Sequence, residues 1–146
     1  MSAEMRMRFS VLSTPYLVLC LLAGCGGESG PVCHPVEGKV LYQNQPLAEA
    51  MVVFHPLAAP AKKAPQPVGT TDAAGRFSLT TLRSGDGAPL GEYAITVELR
   101  APQQIGEEVV RDGPNLLPPR YASPQETPLR HKVVAGKNEV PEIKVE

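Results

Sequence analysis

The 146-residue chain reads as a small all-β sandwich behind an export signal, and three observations carry that reading. Sixteen prolines and thirteen glycines punctuate its whole length, which leaves no room for long helices. Between them lie short runs in which apolar and polar residues alternate, the pattern of strands that bury one face. With no tryptophan and 5% aromatic residues, the apolar content fills one small core and not two.

The first strand is expected over Val36–Tyr42, with Val36, Gly38, Val40 and Tyr42 on one face. Residues 43–46 (QNQP) form a turn, because Asn44 tolerates a left-handed backbone and Pro46 fixes φ. Met51–His55 is the second strand, stopped by Pro56, and 57–67 (LAAPAKKAPQP) is a loop with no pattern to bury. A short third strand spans 68–71. Asp72–Gly75 is a tight turn, since Asp72 bonds its own backbone two residues on and Gly75 takes positive φ. The fourth strand, Arg76–Leu82, points Phe77, Leu79 and Leu82 inward, and 84–91 (SGDGAPLG) is a loop. Glu92–Leu99 is the clearest strand, with Tyr93, Ile95, Val97 and Leu99 on one face.

Arg100–Leu129 then carries six prolines (102, 114, 118, 119, 124 and 128) and reads as one long loop, a rare feature in a compact domain and a common place for function. Strands over 130–134 and 140–145 flank the turn at Ala135–Asn138, which makes seven in all. The expected core is Val40, Tyr42, Val52, Phe54, Phe77, Leu79, Tyr93, Ile95, Val97, Val133, Ile143 and Val145. Two sheets packed about 10 Å apart would enclose it.

The N-terminus does not belong to that core. Arg6 and Arg8 precede the 14-residue apolar run Phe9–Leu22. This suits a secretory signal, whose apolar segment runs to about 7–15 residues. It falls short of the roughly 20 residues that a membrane-spanning helix needs. Leu22-Ala23-Gly24-Cys25 resembles the lipobox of bacterial lipoproteins, in which small residues fit a narrow peptidase groove and the cysteine thiolate accepts a lipid. The resemblance implies cleavage before Cys25, lipidation of Cys25, and attachment of the protein to a membrane through it. The alternative is an ordinary cleavage after Ala23 or Gly24 that leaves Cys25 a plain thiol. Residues 1–24 are thus the signal, 25–35 a lipidated tether rich in small residues, and 36–146 the domain. Cys20 departs with the signal and Cys33 is left without an intrachain partner, a Cys25–Cys33 loop being open only where Cys25 is not lipidated.

Within the domain, the motifs VEGKVLYQNQPLAEAMVVFHP, GTTDAAGRFSLTT, GAPLGEYAITVEL and LPPRYASPQETPLRHKVVAGKNEVPEIKV resemble the transthyretin-like, carboxypeptidase-regulatory-like domains of small bacterial lipoproteins. The matching positions are Val36, Gly38, Val40, Pro46, Leu47, Ala50, Val52 and Phe54, then Thr71–Phe77, Gly91–Tyr93, Pro118–Tyr121 and Ser123-Pro124. Asn44 stands where that family usually has a turn glycine. The resemblance implies a seven-stranded prealbumin-like (Ig-like) sandwich exported to the envelope, and no reaction.

The enzyme families of related architecture do not fit. Transthyretin-like hydroxyisourate hydrolases resemble this fold but end in Tyr-Arg-Gly-Ser, where this chain ends Glu142-Ile143-Lys144-Val145-Glu146. Intradiol dioxygenases hold iron with two Tyr and two closely spaced His, whereas His34, His55 and His131 are scattered. That scatter also offers no zinc motif. Asp72 and Asp86 read as turn residues and not as calcium ligands, and no serine lies in a nucleophile elbow. No cofactor is implied. The net charge of −1 and the lone basic pair Lys62-Lys63 give no nucleic-acid face.

What remains is a non-catalytic envelope lipoprotein acting as a structural or protein-interaction module. Arg120 and Tyr121, in the proline-rich segment 116–121, form its candidate interaction surface, the alternative being that Tyr121 pins this loop onto the sandwich with its OH bonded to backbone. The alternative is a lipoprotein that binds a small ligand or carbohydrate, against which the lack of tryptophan argues. Gly26 after Cys25, in place of an aspartate, favours the outer membrane.

Overall fold

The computed structural model describes residues 30–58 and 65–146. The signal, the Leu22–Cys25 motif and the Lys62-Lys63 pair lie outside the described residues. Within them run thirteen strands: β1 (Cys33–His34), β2 (Val36–Tyr42), β3 (Gln45–Pro46), β4 (Met51–Pro56), β5 (Val68–Thr70), β6 (Arg76–Ser78), β7 (Ala88–Pro89), β8 (Gly91–Glu98), β9 (Arg100–Ile105), β10 (Glu108–Asn115), β11 (Arg130–Val133), β12 (Asn138–Glu139) and β13 (Ile143–Val145). One 3₁₀ turn covers Pro119–Tyr121. No helix among the described residues is long and apolar enough to cross a membrane.

The architecture is an all-β sandwich. One sheet runs β11-β8-β4-β5 with every pair antiparallel. The other is built around β2, which pairs antiparallel with β6 and β3, and parallel with β12 and β13. Alternation decides which side chains meet between them: Val36 and Val40 of β2 face Val52 and Phe54 of β4 and Tyr93, Ile95 and Val97 of β8. Every expected core residue is buried except Tyr42, which packs partly buried against the cluster. Leu47, Ala50, Ala88, Leu117, Tyr121 and Val140 join the core from loops and strand ends.

Two expected turns form as their residues dictate. Gln43 (φ 50°) and Asn44 (φ 62°) make a two-residue loop with both backbones left-handed, the type I′ geometry whose twist suits a hairpin. Asp72 Oδ1 accepts from the N–H of Ala74 and of Arg76, both at 2.9 Å, while Gly75 takes φ 75°.

Four expectations need correction. Leu82 is 48% exposed, because the fourth strand ends at Ser78. The carboxylate of Asp86 gathers the N–H groups of Thr81 (2.7 Å), Leu82 (2.9 Å) and Arg83 (2.9 Å), curling this stretch off the ladder. The tether is shorter than 25–35, since Cys33 and His34 pair with Pro89 and Ala88. The last expected strand, 140–145, is shorter: only Ile143–Val145 pairs, beyond Pro141, which has no N–H to donate, and a separate two-residue strand, β12, forms at Asn138–Glu139 where the expected turn ends. Finally, 100–129 is not structureless. β9 and β10 form a hairpin closed by Gly106-Glu107, with Gly106 at φ 65°. Its register shifts between Arg111 and Asn115, a bulge that accommodates Pro114. These short pieces explain why thirteen strands replace seven.

The sandwich has two distinct ends. β2 and β8 both start near the β1–β7 pairing, here called the near end. They finish at the far end, where β8 leads into the β9–β10 hairpin. The eight residues of β8 separate the two ends by about 26 Å at roughly 3.3 Å per residue.

Candidate functional site

The far end gathers the segment singled out from the sequence together with the hairpin. Arg120 Nη2 donates to Tyr121 Oη (3.0 Å) and to the Glu146 carbonyl (3.1 Å), and the Glu146 N–H donates to Tyr121 Oη (3.3 Å). The guanidinium carbon lies 4.9 Å from the Tyr121 ring centroid, a cation–π distance. Tyr121 is 3% exposed. It therefore pins the 116–121 segment to the C-terminal strand, the alternative weighed for it, and leaves the candidate interaction surface without half of its pair. Arg120 remains at the surface, with one face held by these contacts.

The sequence reading missed the hairpin itself. Ile105 (60% exposed) and Val109 (69% exposed) flank its turn, and Leu116 (53%) stands near its base. The signal was present as Gln103-Gln104-Ile105-Gly106-Glu107-Glu108-Val109-Val110, a Gly-X pair between two runs that can alternate. Its base is tied down: Asn115 Oδ1 accepts from the N–H of Leu99 (3.1 Å) and of Leu117 (3.2 Å). Arg111 pairs with Glu49 and also donates to the Arg100 carbonyl (3.1 Å).

Two grooves mark the sandwich itself. The larger, about 680 Å³, is lined by Glu37, Gly38 and Lys39 of β2, Arg76–Ser78 of β6, and Thr70, Asp72, Glu139 and Val140. Its charges are mixed and partly engaged, for Lys137 bridges Glu37 at 3.0 Å, an interaction that raises the lysine pKa. The smaller, about 350 Å³, lies between Leu57, Glu92, Tyr93, Arg130, His131 and Lys132.

The three histidines stay apart. His34 Nδ1 accepts the Gly136 N–H at 3.2 Å. His55 Nδ1 accepts from Gln66 Nε2 (3.1 Å), so its protonated Nε2 donates to Thr96 Oγ1 (2.9 Å). Burial lowers the His55 pKa, against an opposing pull from Glu98. His131 packs edge-on against Phe54, with centroids 6.3 Å apart, and its buried Nε2 has no hydrogen-bond partner among the described residues. Burial lowers its pKa as well.

Among the described residues Cys33 has no disulfide partner, and its pKa is raised, first by burial and then by the Asp86 charge, which keeps the thiol protonated. For Asp86, burial alone would raise the pKa, but the three backbone N–H groups and Cys33 outweigh it and lower the value. Among the described residues no group of three or more His, Cys, Asp or Glu side chains converges where a metal ion could be held. The far end thus offers contact area and hydrogen-bonding groups.

No family model and no curated protein matches the chain. Partial likenesses to solved structures exist. A 9R-lipoxygenase from Cyanothece is 16% identical with a TM-score of 0.44, over 78% of this chain and 16% of that one. A DUF3823 family protein from Parabacteroides merdae is 17% identical with a TM-score of 0.40, over 80% and 47%. The major pilin subunit of Bacillus cereus is 16% identical with a TM-score of 0.43, over 80% and 30%. This chain spans less than half the length of each. At these scores the likenesses say nothing of function, and the fold rests on the chain's own pairing and packing.

Proposed function

We propose that the protein is an exported lipoprotein, anchored in the envelope through Cys25, whose sandwich is a non-catalytic protein-interaction module of the transthyretin-like type. The hairpin end is its working surface. One observation carries this reading: the β9–β10 hairpin adds nothing to the core between Arg100 and Leu116, yet it holds Ile105 and Val109 in solvent at its tip. An exposed apolar tip beside polar groups is the composition of a recognition surface. Its position at the end opposite the tether would direct it away from a membrane. The reading of Cys25 rests on the Leu22-Ala23-Gly24-Cys25 motif.

The test is photo-crosslinking in intact cells, with a photoreactive residue at position 109 and a control at Lys144 on β13. A discrete adduct with one envelope protein from position 109 alone is expected. Adducts from neither position, or equally from both, would overturn the assignment. The groove lined by β2 and β6 supports the carbohydrate reading, because Glu37, Lys39, Asp72 and Arg76 offer hydrogen bonds there. Glycan binding lost on Arg76→Ala but kept on Val109→Ser would favour that reading instead.

A further inference from the structure

We propose that the near end is a membrane-contacting rim: Val32, Leu82, Leu90 and Val134 rest on the lipid surface that holds the acylated Cys25. This rests on the lipid anchor proposed above and adds an orientation to it. The β1–β7 ladder ends with Cys33 opposite Pro89, which leaves Val32 and Leu90 each one residue beyond that last pair. The β11–β8 ladder ends with Val133 opposite Gly91, which leaves Val134 and Leu90 each one residue beyond that last pair. These three side chains are 76%, 57% and 50% exposed, a row of apolar groups along one end of the sandwich.

Leu82 extends the row towards the tether. A Cβ on Gly30 would stand 2.6 Å from Leu82 Cδ1, so the described chain begins in contact with this patch. Five residues then reach back to Cys25, which at about 3.3–3.6 Å each gives at most roughly 18 Å. The far end, a full β8 strand away, cannot be drawn to the bilayer by so short a link while the near end stays off it. The acyl chains therefore hold this rim within reach of lipid, together with the exposed Leu57, whose N–H donates to the Glu92 carbonyl beside it (2.9 Å). Charge agrees with that placement: Asp86 turns its carboxylate onto three backbone N–H groups, while Arg83, next to Leu82, is exposed and available to lipid phosphates. A partly inserted apolar rim supplies the second signal that an acyl anchor gains from a neighbouring surface.

The chain has no tryptophan, so Leu90→Trp, Val32→Trp and Val109→Trp each place a single reporter in the full mature protein. The lipidated variants are reconstituted into vesicles of phosphatidylethanolamine and phosphatidylglycerol with brominated acyl chains. Emission from positions 90 and 32 should shift to the blue and be quenched, while position 109 stays unquenched. Intact mass is measured on the same samples. Acyl mass present with no quenching at 90 and 32 overturns the rim and leaves the anchor standing. Absence of acyl mass overturns the anchor and the rim with it. Unquenched reporters together with a concentration-dependent dimer, abolished by Leu90→Ser, would assign the row to a second copy and sink the lipid proposal.

Discussion

The two ends of the sandwich both expose apolar side chains, but they are built differently. At the near end, four segments interlock. His34 receives the Gly136 N–H, and Asn138 ties residues 134–138 into one turn by donating to the Val134 and Gly136 carbonyls, each at 2.9 Å, and to Pro35 at 3.4 Å. Its Oδ1 accepts the Val134 N–H at 2.9 Å. At the far end the hairpin stands on its base alone, and its strands are exposed along most of their length. The difference teaches that similar exposed groups can sit on a rigid platform or on a replaceable arm. A rim held against a membrane gains from the first, and a tip selected for a partner tolerates the second.

A pair of glycines breaks or sharpens that contrast most directly. Gly87 has φ 91°, and a Cβ there would overlap the His34 carbonyl oxygen. Gly87→Ala should therefore separate β1 from β7 and cost about 3 kcal/mol of global stability, combining strain with lost pairing. Gly106 has φ 65° with nothing within 4 Å of a built Cβ. Gly106→Ala should cost about 1 kcal/mol, the left-handed penalty, confined to the hairpin. Urea denaturation reads the first loss and hydrogen exchange of the β9–β10 amides reads the second. Equal global losses would abolish the distinction between the ends.

The sequence reveals more of the sandwich than of its ends, for a physical reason. Val36, Val52 and Ile95 announce their strands because alternation is a local pattern set by one buried face. Asn44 and Gly75 announce their turns because a left-handed backbone restricts residue choice. The hairpin was hidden by proline: Pro102 and Pro114 usually argue against strands, yet an exposed edge and a bulge accept them without losing a needed hydrogen bond. Tyr121 was left between two readings for another reason. Whether an aromatic side chain faces solvent or a C-terminal strand 25 residues away is a tertiary fact that no local pattern encodes. The near-end row was equally silent, because Val32, Leu90 and Val134 come together only through pairing between distant segments.

The near end should also carry the protein's acid sensitivity. Burial lowers the pKa of His131 below its ordinary 6.5, so the unfolded chain binds a proton more readily than the fold does. Stability is then full above about pH 6.5 and declines as the pH falls towards the lowered value, with His55 acting in the same direction. His131→Leu removes both this liability and the unpaired Nε2 that sits among Phe54 and the groove residues Glu92, Arg130 and Lys132. The variant should gain about 1 kcal/mol, and more at pH 5 than at pH 7. Denaturant titrations at the two pH values check it. An unchanged difference between them would clear His131 of any part in acid unfolding.

The smallest effect belongs to the far end and isolates the arm from the platform. Arg111 pairs with Glu49, but the two side chains are 37% and 60% exposed. An ion pair so open to water contributes roughly 0.2–1 kcal/mol, and salt screens it. Arg111→Ala should hardly move the global denaturation midpoint, because neither residue belongs to the core. Locally it should matter more, since the same guanidinium holds the Arg100 carbonyl at the hairpin base. Faster exchange of the β9–β10 amides is expected, with β2 and β8 unchanged, and crosslinking yield from position 109 should fall in parallel. The mixed loss of a weak ion pair and a backbone bond is separated by salt. Raising ionic strength in the wild type should reproduce only the ion-pair part, so a hairpin loosened as much by salt as by Arg111→Ala would place the whole effect on Glu49.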